Sequence, residues 1–276
     1  MRTKILVILS LISLFSATGF RVCQAQLLMR TEGQLSFLPY LHGVDKSFGM
    51  YPGYRVRFSM NVDIYRFDRL ILTGLTENVT LISRTDSSLV NLDKIHYVLS
   101  PGIRYDLKKY YFNASIYHES INNIGRYEDI GGALWFNSIR IGIGSRGSSY
   151  LYLREEYMNI NNQLMNTFDG QIKIGFFLHG RESIWTSKRH QYRYEALGNL
   201  RYHLGVYNNW AMFMGAEEQT WIKKNSTVEH KIRVRVSAFR KGTVNFSGFF
   251  YSYVIYDSYS IDNEEGLGAI GYTIIF

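Results

Sequence analysis

The sequence has one cysteine, and beyond its first twenty residues it has no long apolar run. No later segment approaches the roughly 18 consecutive apolar residues that a membrane-spanning helix requires, which excludes a helical membrane protein. The single cysteine, Cys23, falls in a segment that we expect to be removed, so the mature chain would have no disulfide and no thiol chemistry. The seven histidines are scattered, and no cluster of cysteine and histidine predicts a metal site. Without Arg2, Lys4 and Arg21, which lie in the segment expected to be removed, the net charge falls from +8 to +5, which is too modest to predict a nucleic-acid partner.

The amino terminus has the order of parts found in a secretory signal peptide. Arg2 and Lys4 precede an apolar run from Ile5 to Phe20, and Ala25 offers a small residue at the expected cleavage position. We therefore expect residues 1–25 to be a signal peptide. Residues 26–276 would then form a single domain in an exported protein.

Alternation with a period of two is the strongest pattern in the rest of the chain. In the clearest run, an apolar row of Tyr54, Val56, Phe58, Met60, Val62 and Ile64 alternates with a polar row of Arg55, Arg57, Ser59, Asn61 and Asp63. Successive side chains of a strand point to opposite faces, so this pattern predicts a β-strand with one apolar and one polar face. Similar runs recur along the chain, including one from Tyr192 to Leu204 whose apolar row begins at Tyr192, and a less regular one near Leu151 to Asn159. This repetition predicts an all-β protein.

The length of these runs and the charge of their polar rows favour a membrane barrel over a soluble one. Several runs extend over about 11–15 residues, beyond the roughly 5–6 of soluble strands and enough for the roughly 9–11 that cross a tilted bilayer. A packed core would not tolerate the repeated Arg and Glu of the polar rows, whereas a charged lumen would. The predicted lumen lining is Arg55, Arg57, Arg104, Arg193, Glu195, Arg201, Arg233 and Arg235. These residues would favour anions, or would pair across the lumen through Glu195 and Asp63.

The carboxyl-terminal segment, from Gly266 to Phe276, alternates in the same way and ends on an aromatic residue. It resembles the closing strand of bacterial outer-membrane β-barrels, in which a terminal aromatic residue is the assembly signal. The resemblance implies that the protein lies in an outer membrane and that the assembly machinery recognises the strand ending at Phe276. Short connections alternate with longer polar ones such as Arg84 to Asp93, as in that class. We expect Gln26 to Gly33, before the first strand, to be a periplasmic lead-in. We expect a closed antiparallel transmembrane β-barrel of about 12 strands, with 14 as the alternative.

This fold by itself predicts a general function. About 12 strands enclose a lumen only moderately wider than the roughly eight-strand barrel that side chains fill. We expect an integral outer-membrane protein with a charged lumen, acting as a narrow pore or as a binding or structural surface protein.

One constellation suggests a different function. His118 and Ser120 lie two residues apart on one predicted strand, so they share a face, and their parity places them on the lipid side near a rim. A histidine beside a serine can act as a general base for a nucleophile. Asp129 has the same outward parity on the following strand and would orient the imidazole. Asn122 and Asn123 are the alternatives for that role.

The segment from His118 to Asp129 reads H-E-S-I-N-N-I-G-R-Y-E-D. It resembles the lipid-hydrolysing barrels, namely outer-membrane phospholipase A and lipid A deacylase, whose His-x-Ser pair faces the membrane. It also resembles uncharacterised outer-membrane proteins with His-x-Ser followed by Gly and acidic residues. The resemblance implies an acyl-ester hydrolase acting on membrane lipids, with no cofactor unless calcium serves a phospholipase. The third residue of the two named enzymes, at their offset from Ser120, would fall on Gly132.

Overall fold

The computed structural model describes residues 26–42, 52–85, 88–123, 133–145, 168–178, 192–208, 210–241, 246–259 and 264–275. Residues 1–25, which form the predicted signal peptide, and Phe276 lie outside these ranges, as does a strand predicted near Leu151 to Asn159. Within them, no helix is long and apolar enough to cross a membrane.

The alternating runs of the sequence form twelve strands in the described part of the chain. Their bounds are β1 Gln26–His42, β2 Pro52–Phe67, β3 Leu70–Thr85, β4 Ser88–Asp106, β5 Tyr110–Asn123, β6 Ala133–Ser145, β7 Phe168–Phe177, β8 Tyr192–Tyr207, β9 Trp210–Lys223, β10 Val228–Lys241, β11 Phe246–Asp257 and β12 Gly268–Ile275. Many are longer than soluble strands, as the length of the alternating runs predicts.

Each strand pairs antiparallel with the next one along the chain. β1 also pairs with β12, with Leu35 opposite Ile274, so that the sheet closes into a barrel. The all-β antiparallel class predicted from the sequence is confirmed. Closure leaves none of the twelve described strands with an exposed edge that could pair with other chains.

The two ends of the barrel differ. At one end, which we call the turn end, Asp68–Arg69 joins β2 to β3 and Leu107–Lys109 joins β4 to β5. Asp68 has a φ of 55°, in the left-handed region that aspartate tolerates in tight turns. The opposite end, which we call the loop end, holds the segment between β11 and β12, by which we mean only its described residues 258–259 and 264–267.

The outward face of the barrel is an apolar belt. Its exposed members include Leu99, Ile103, Phe112, Ile116, Ile139, Ile141, Ile172, Ile174, Leu200, Met214, Val236, Phe249 and Ile270. The residues between them face the lumen and are largely polar: Asp63, Arg104, Glu195 and Lys231 are all buried. The barrel is therefore apolar outside and charged inside, the reverse of a water-soluble sandwich.

Two predictions about connections are corrected. The segment Gln26 to Gly33, which we expected to be an irregular lead-in, belongs to β1 and pairs with β2. The polar segment Arg84 to Asp93, expected to be a loop, is mostly an extension of β3 and β4, with Thr85 opposite Ser88. Polar composition indicated irregular structure in both places. A polar segment can also pair with a neighbouring strand, which provides hydrogen-bond partners for its backbone N–H and C=O groups.

The described residues between β11 and β12 line the lumen at the loop end, among them Tyr259, Glu264 and Leu267. The amides of Tyr259 and Glu264 donate to the two carboxylate oxygens of Asp257, at 2.8 and 2.9 Å. Gly266 has a φ of 79°, a conformation that favours glycine, and its amide donates to the Val254 carbonyl. The ring of Tyr259 stacks on Trp221 with centroids 4.1 Å apart. The loop end of the lumen is thus packed with aromatic side chains.

Candidate functional site

His118 makes a hydrogen bond on the outward face of the barrel. Its Nδ1 lies 2.8 Å from Oδ1 of Asn137, which is directly opposite it on β6. An amide oxygen can only accept, so this contact assigns the proton to Nδ1 and leaves Nε2 as the basic nitrogen of the neutral ring. The pair therefore fixes both the orientation and the tautomer of the imidazole.

Ser120 lies on the same face as this pair. It follows His118 by two residues on β5, and the same parity continues down the strand through the exposed residues Ile116 and Phe112. The intervening residue Glu119 faces the lumen. Regular pairing of β5 with β6, from Tyr110 to Asn122, maintains this alternation without a bulge. The strand thus places a serine, a histidine and a paired amide on one outward surface near the loop end.

Among the described residues, the side chain that pairs with His118 is that of Asn137. Asp129, which we predicted to orient the imidazole, lies outside the described residues, as does Gly132, so that prediction stays a prediction. Asn122 and Asn123 belong to β5, and Asn122 lies opposite Ala133 rather than beside His118. Asn137, directly opposite His118 on β6, makes the contact with Nδ1. No pattern around His118 in the sequence pointed to Asn137, because its distance along the chain from His118 depends on the length of the connection between β5 and β6.

The lumen side of the same strands is tied together by charged and polar groups. Arg140 donates to both carboxylate oxygens of Glu195, at 2.7 and 2.8 Å, and Ser138 donates to the same carboxylate at 2.8 Å. Tyr117 donates to Glu119 at 3.1 Å. Ser138 is the neighbour of Asn137 in the chain, so these bonds hold the backbone that presents Asn137 outward.

Most of the predicted lumen residues lie inside the barrel, and several pair there. Arg104 donates to both oxygens of Asp63 at 3.0 and 2.8 Å. Arg57 donates to Glu77 at 2.6 Å. Arg201 lies near the ring of Phe213, with 5.3 Å from its guanidinium carbon to the ring centroid.

A second group of predicted lumen residues surrounds the inward-turned segment. Glu264, only 2% exposed, pairs with Arg55 and accepts from Arg233 at 2.9 Å. Lys231 lies 2.8 Å from the same carboxylate. Arg235 lies 3.8 Å from Glu217. The sequence did not identify Glu264 because the chain reaches the lumen there from a connection and not from a strand.

Arg193 departs from the predicted lining. A bulge lies between Tyr192 and Tyr194 in the pairing of β8 with β9, which inserts one extra residue. Tyr192 consequently faces the lumen, where its ring packs against Phe136, although its parity had placed it outside. Arg193 is exposed, with its guanidinium 5.1 Å from the ring of Tyr194. The extra residue shifts the alternation of inward and outward side chains in β8 by one position, and Arg193 no longer faces the lumen with Glu195.

Among the described residues, two cavities lie in the lumen. The cavity at the loop end has a volume of about 410 Å³, and the cavity at the turn end has a volume of about 380 Å³. The residues that line both cavities include Arg57, Glu77, Lys173, Asn199, Glu217 and Arg235. This shared layer of mostly charged side chains lies across the lumen between the two cavities.

The described residues do not offer a carboxylate set for calcium at Ser120. On the outward faces of β4, β5 and β6, the side chains that the structure describes around Ser120 are hydroxyl, amide, imidazole, aromatic and aliphatic groups. In the described part of the chain, no group of three or more His, Cys, Asp or Glu side chains forms a metal site. Calcium prefers carboxylate and carbonyl oxygens, so the described side chains around Ser120 do not fit a calcium ion.

Comparison with solved structures identifies the fold. The outer membrane phospholipase (OMPLA) dimer with bound calcium from Salmonella typhi superposes with a TM-score of 0.52, at 10% identity, over 94% of this chain and 93% of that chain. Outer membrane phospholipase A from Escherichia coli gives a TM-score of 0.52 at 9% identity, over 91% of this chain and 98% of that chain. No protein-family model matches the sequence, and no curated protein sequence matches it. The chain has the fold of bacterial outer-membrane β-barrels, which confirms the resemblance expected from its sequence.

Proposed function

We propose that this protein is an integral outer-membrane β-barrel that hydrolyses an acyl ester of a membrane lipid on its outward face. Ser120 is the nucleophile, His118 is the general base and Asn137 orients the imidazole. The observation that carries this proposal is the 2.8 Å contact between His118 Nδ1 and Asn137 Oδ1, on the same face as Ser120. Acyl-transfer sites on many folds have this arrangement, in which a third group orients the base that activates the nucleophile.

The apolar belt supports a membrane location. Exposed residues such as Ile172 and Ile174 continue around the barrel, and a contiguous apolar surface of this extent is unfavourable in water. The lumen, in contrast, carries charged pairs such as Arg104 with Asp63. In an outer membrane the belt would contact lipid acyl chains. The strand ending at Phe276 would be recognised by the assembly machinery, as its resemblance implies.

The proposed chemistry proceeds in two halves. Ser120 Oγ attacks the carbonyl carbon of the ester while its proton passes to His118 Nε2. The tetrahedral intermediate collapses, the C–O bond to the lipid alcohol breaks, and the alcohol takes the proton from His118. Water then attacks the acyl-serine with His118 again as base, which releases a fatty acid and restores the serine. Asn137, a neutral acceptor for Nδ1–H, keeps the ring aligned through both halves.

The outward position of the site determines how substrate arrives. Lipids diffuse laterally to the barrel wall, so the proposed reaction requires no channel through the lumen. The acyl chains can remain in the apolar phase beside Ile116 and Ile139, which are exposed just below His118 on β5 and β6. Because chain and ester stay at their usual depth, little lipid surface has to be moved into water.

The lumen favours a second candidate function, a narrow anion-conducting pore. Its two cavities are lined by several arginines, and their shared layer includes Arg57 and Arg235. Arg57, Arg104 and Arg233 nevertheless pair with carboxylates in the described lumen, and these pairs neutralise much of its positive charge. We therefore rank the pore below the hydrolase.

Fatty-acid release from purified protein tests the hydrolase. Mature protein folded in detergent should release fatty acid from phospholipid or lipid A micelles, with calcium or with chelator present as separate arms. Ser120→Ala and His118→Ala should each abolish release while keeping the mobility shift on heating that marks a folded barrel. His230→Ala, which removes a histidine on β10 that hydrogen-bonds Thr220, is the matched control and should retain full activity. If wild type and Ser120→Ala are equally inactive in every arm, the protein is not this hydrolase.

A further inference from the structure

We infer that Tyr97 and Trp135 form the two walls of a slot that positions the lipid ester over Ser120. The inference rests on the proposed function and names the residues that recognise the lipid, in addition to those that break the bond. Tyr97 lies directly opposite Ser120 on β4, and Trp135 lies directly opposite it on β6. A single row across three strands therefore has the nucleophile in the middle and an aromatic ring on each side.

Both rings stand on the outward face with the nucleophile. Tyr97 is 46% exposed and Trp135 is 45% exposed. Directly opposite residues in an antiparallel pair have Cβ atoms about 4.5–5.5 Å apart, so each ring begins next to the Ser120 side chain. A tyrosine or tryptophan side chain is much longer than that of serine. The rings therefore rise on both sides of Ser120, and the serine lies at the floor between them.

The slot has a direction. In the next row toward the turn end, Leu99 and Asn137 lie opposite His118. Beyond that row, Ile116 and Ile139 lie opposite each other and are exposed. An acyl chain that leaves Ser120 toward the turn end thus runs over apolar side chains. Strands two apart in a sheet are separated by roughly 9.6 Å, which leaves room for one acyl chain between the two rings.

The amphipathic side chains of Tyr97 and Trp135 determine which part of the lipid the slot binds. Tyr and Trp side chains have an apolar body and a polar tip and settle at the level where acyl chains meet headgroups. An ester carbonyl lies at this depth, whereas phosphate lies outside it and the chain interior lies below it. The ligand of the slot is therefore the ester-bearing end of one acyl chain in a glycerolipid or an acylated sugar lipid. Both rings act by positioning, and neither transfers a proton.

Steady-state kinetics on the folded mature protein test the two walls. Tyr97→Leu and Trp135→Leu should each raise KM for phospholipid micelles about tenfold, through loss of one aromatic contact, while kcat stays within about twofold. Tyr97→Phe should keep KM within about twofold of wild type, because it retains the ring that contacts the acyl chain and because the folded strand, with Trp135, still sets the depth of the slot. Tyr105→Leu and Trp210→Leu, which remove rings of the same types at the turn ends of β4 and β9, are the matched controls and should change neither constant.

A small fluorophosphonate without a lipid chain separates failure of this inference from failure of the proposed function. It should label Ser120 in wild type, Tyr97→Leu and Trp135→Leu at equal rates, since it requires the nucleophile and base but no lipid slot. If the two variants have the KM of the controls, the walls do not recognise lipid. If they lose labelling together with activity while still folded, the rings support the nucleophile, and the positioning role is wrong. If wild type neither labels nor hydrolyses, the proposed function itself fails, and this inference with it.

Discussion

Glu195 on β8 accepts two hydrogen bonds from Arg140 on β6, at 2.7 and 2.8 Å, across the whole width of β7. The residue of β7 that lies opposite both partners is Gly175. A Cβ atom at Gly175 would come within 2.2 Å of the Glu195 carboxylate and 2.3 Å of its Cγ. The glycine thus leaves the space through which the buried ion pair forms.

Gly175→Ala should therefore destabilise the barrel. The added methyl group would displace Glu195, which is 2% exposed, and leave the Arg140 guanidinium without its partner in the lumen. When one partner of a buried ion pair is displaced, the free energy of unfolding falls by on the order of 3 kcal/mol. Urea unfolding, followed by the heat-dependent gel shift, measures the loss.

Gly198→Ala is the matched control for that experiment. Gly198 lies on β8, and an added Cβ would meet nothing within 4 Å. This variant should be as stable as wild type within about 0.5 kcal/mol, or slightly more stable through reduced freedom of the unfolded chain. Equal stability of Gly175→Ala and Gly198→Ala would show that the space above Gly175 is not required for the pair.

Asn137→Ala should lower the rate of lipid hydrolysis roughly 10²-fold, because His118 would lose the acceptor that fixes its tautomer and orientation. Asn137→Asp should keep part of the activity, since a carboxylate can also accept from Nδ1–H. Initial rates of fatty-acid release measure both effects. Asn225→Ala is the control. Asn225 is also an asparagine whose side-chain oxygen accepts a hydrogen bond, from the Thr227 amide at 3.1 Å, in the turn between β9 and β10. Equal activity of Asn137→Ala and Asn225→Ala would remove Asn137 from the site.

Glu264→Gln should open the lumen to ions. The Glu264 carboxylate is held by Arg55, Lys231 and Arg233, and its removal would leave these cations to repel one another. The segment between β11 and β12 would then lose its anchor inside the barrel. In planar bilayers, wild type should show small conductance steps, and the variant should show larger ones with a preference for anions.

Asp68→Asn is the control for the conductance measurement. It removes the same charge at an exposed turn on the opposite end of the barrel, and asparagine also tolerates the positive φ found there. Its conductance should match that of wild type. If Glu264→Gln conducts no better than Asp68→Asn, or conducts cations, the segment does not close the lumen in the way described.

Ile172→Arg should distinguish a membrane barrel from a soluble one. Ile172 lies in the middle of β7 and is 61% exposed. In water, an arginine at an exposed position would be tolerated. Facing the middle of a bilayer, it should cost about 2–4 kcal/mol of unfolding free energy. Unfolding in lipid vesicles measures the difference.

Val228→Arg gives the depth control. Val228 is the first residue of β10, at the loop-end rim, and is also exposed. An arginine there can reach the interface and should cost only about 0–1 kcal/mol. Equal costs at Ile172 and Val228 would contradict the proposed position of the belt in a membrane.

Local alternation was sufficient to predict much of this protein. A strand repeats every two residues, so the sequence by itself determined that Arg55 and Arg57 share the face opposite Phe58, and that His118 and Ser120 share an outward face. The same pattern, through its length, predicted strands such as β2 and β8. These properties depend only on neighbours along the chain.

Only the tertiary structure decided which strands and side chains meet. Asn137 lies opposite His118 because of the register between β5 and β6, which the connection between them sets and which no local pattern encodes. The bulge at β8 turned Arg193 out of the lumen and Tyr192 into it, through one extra residue opposite β9. Glu264 reached its three cations because a connection, and not a strand, folds into the lumen. The register, the bulge and the position of Glu264 depend on contacts with residues distant in the sequence. The sequence of a single strand does not identify those residues.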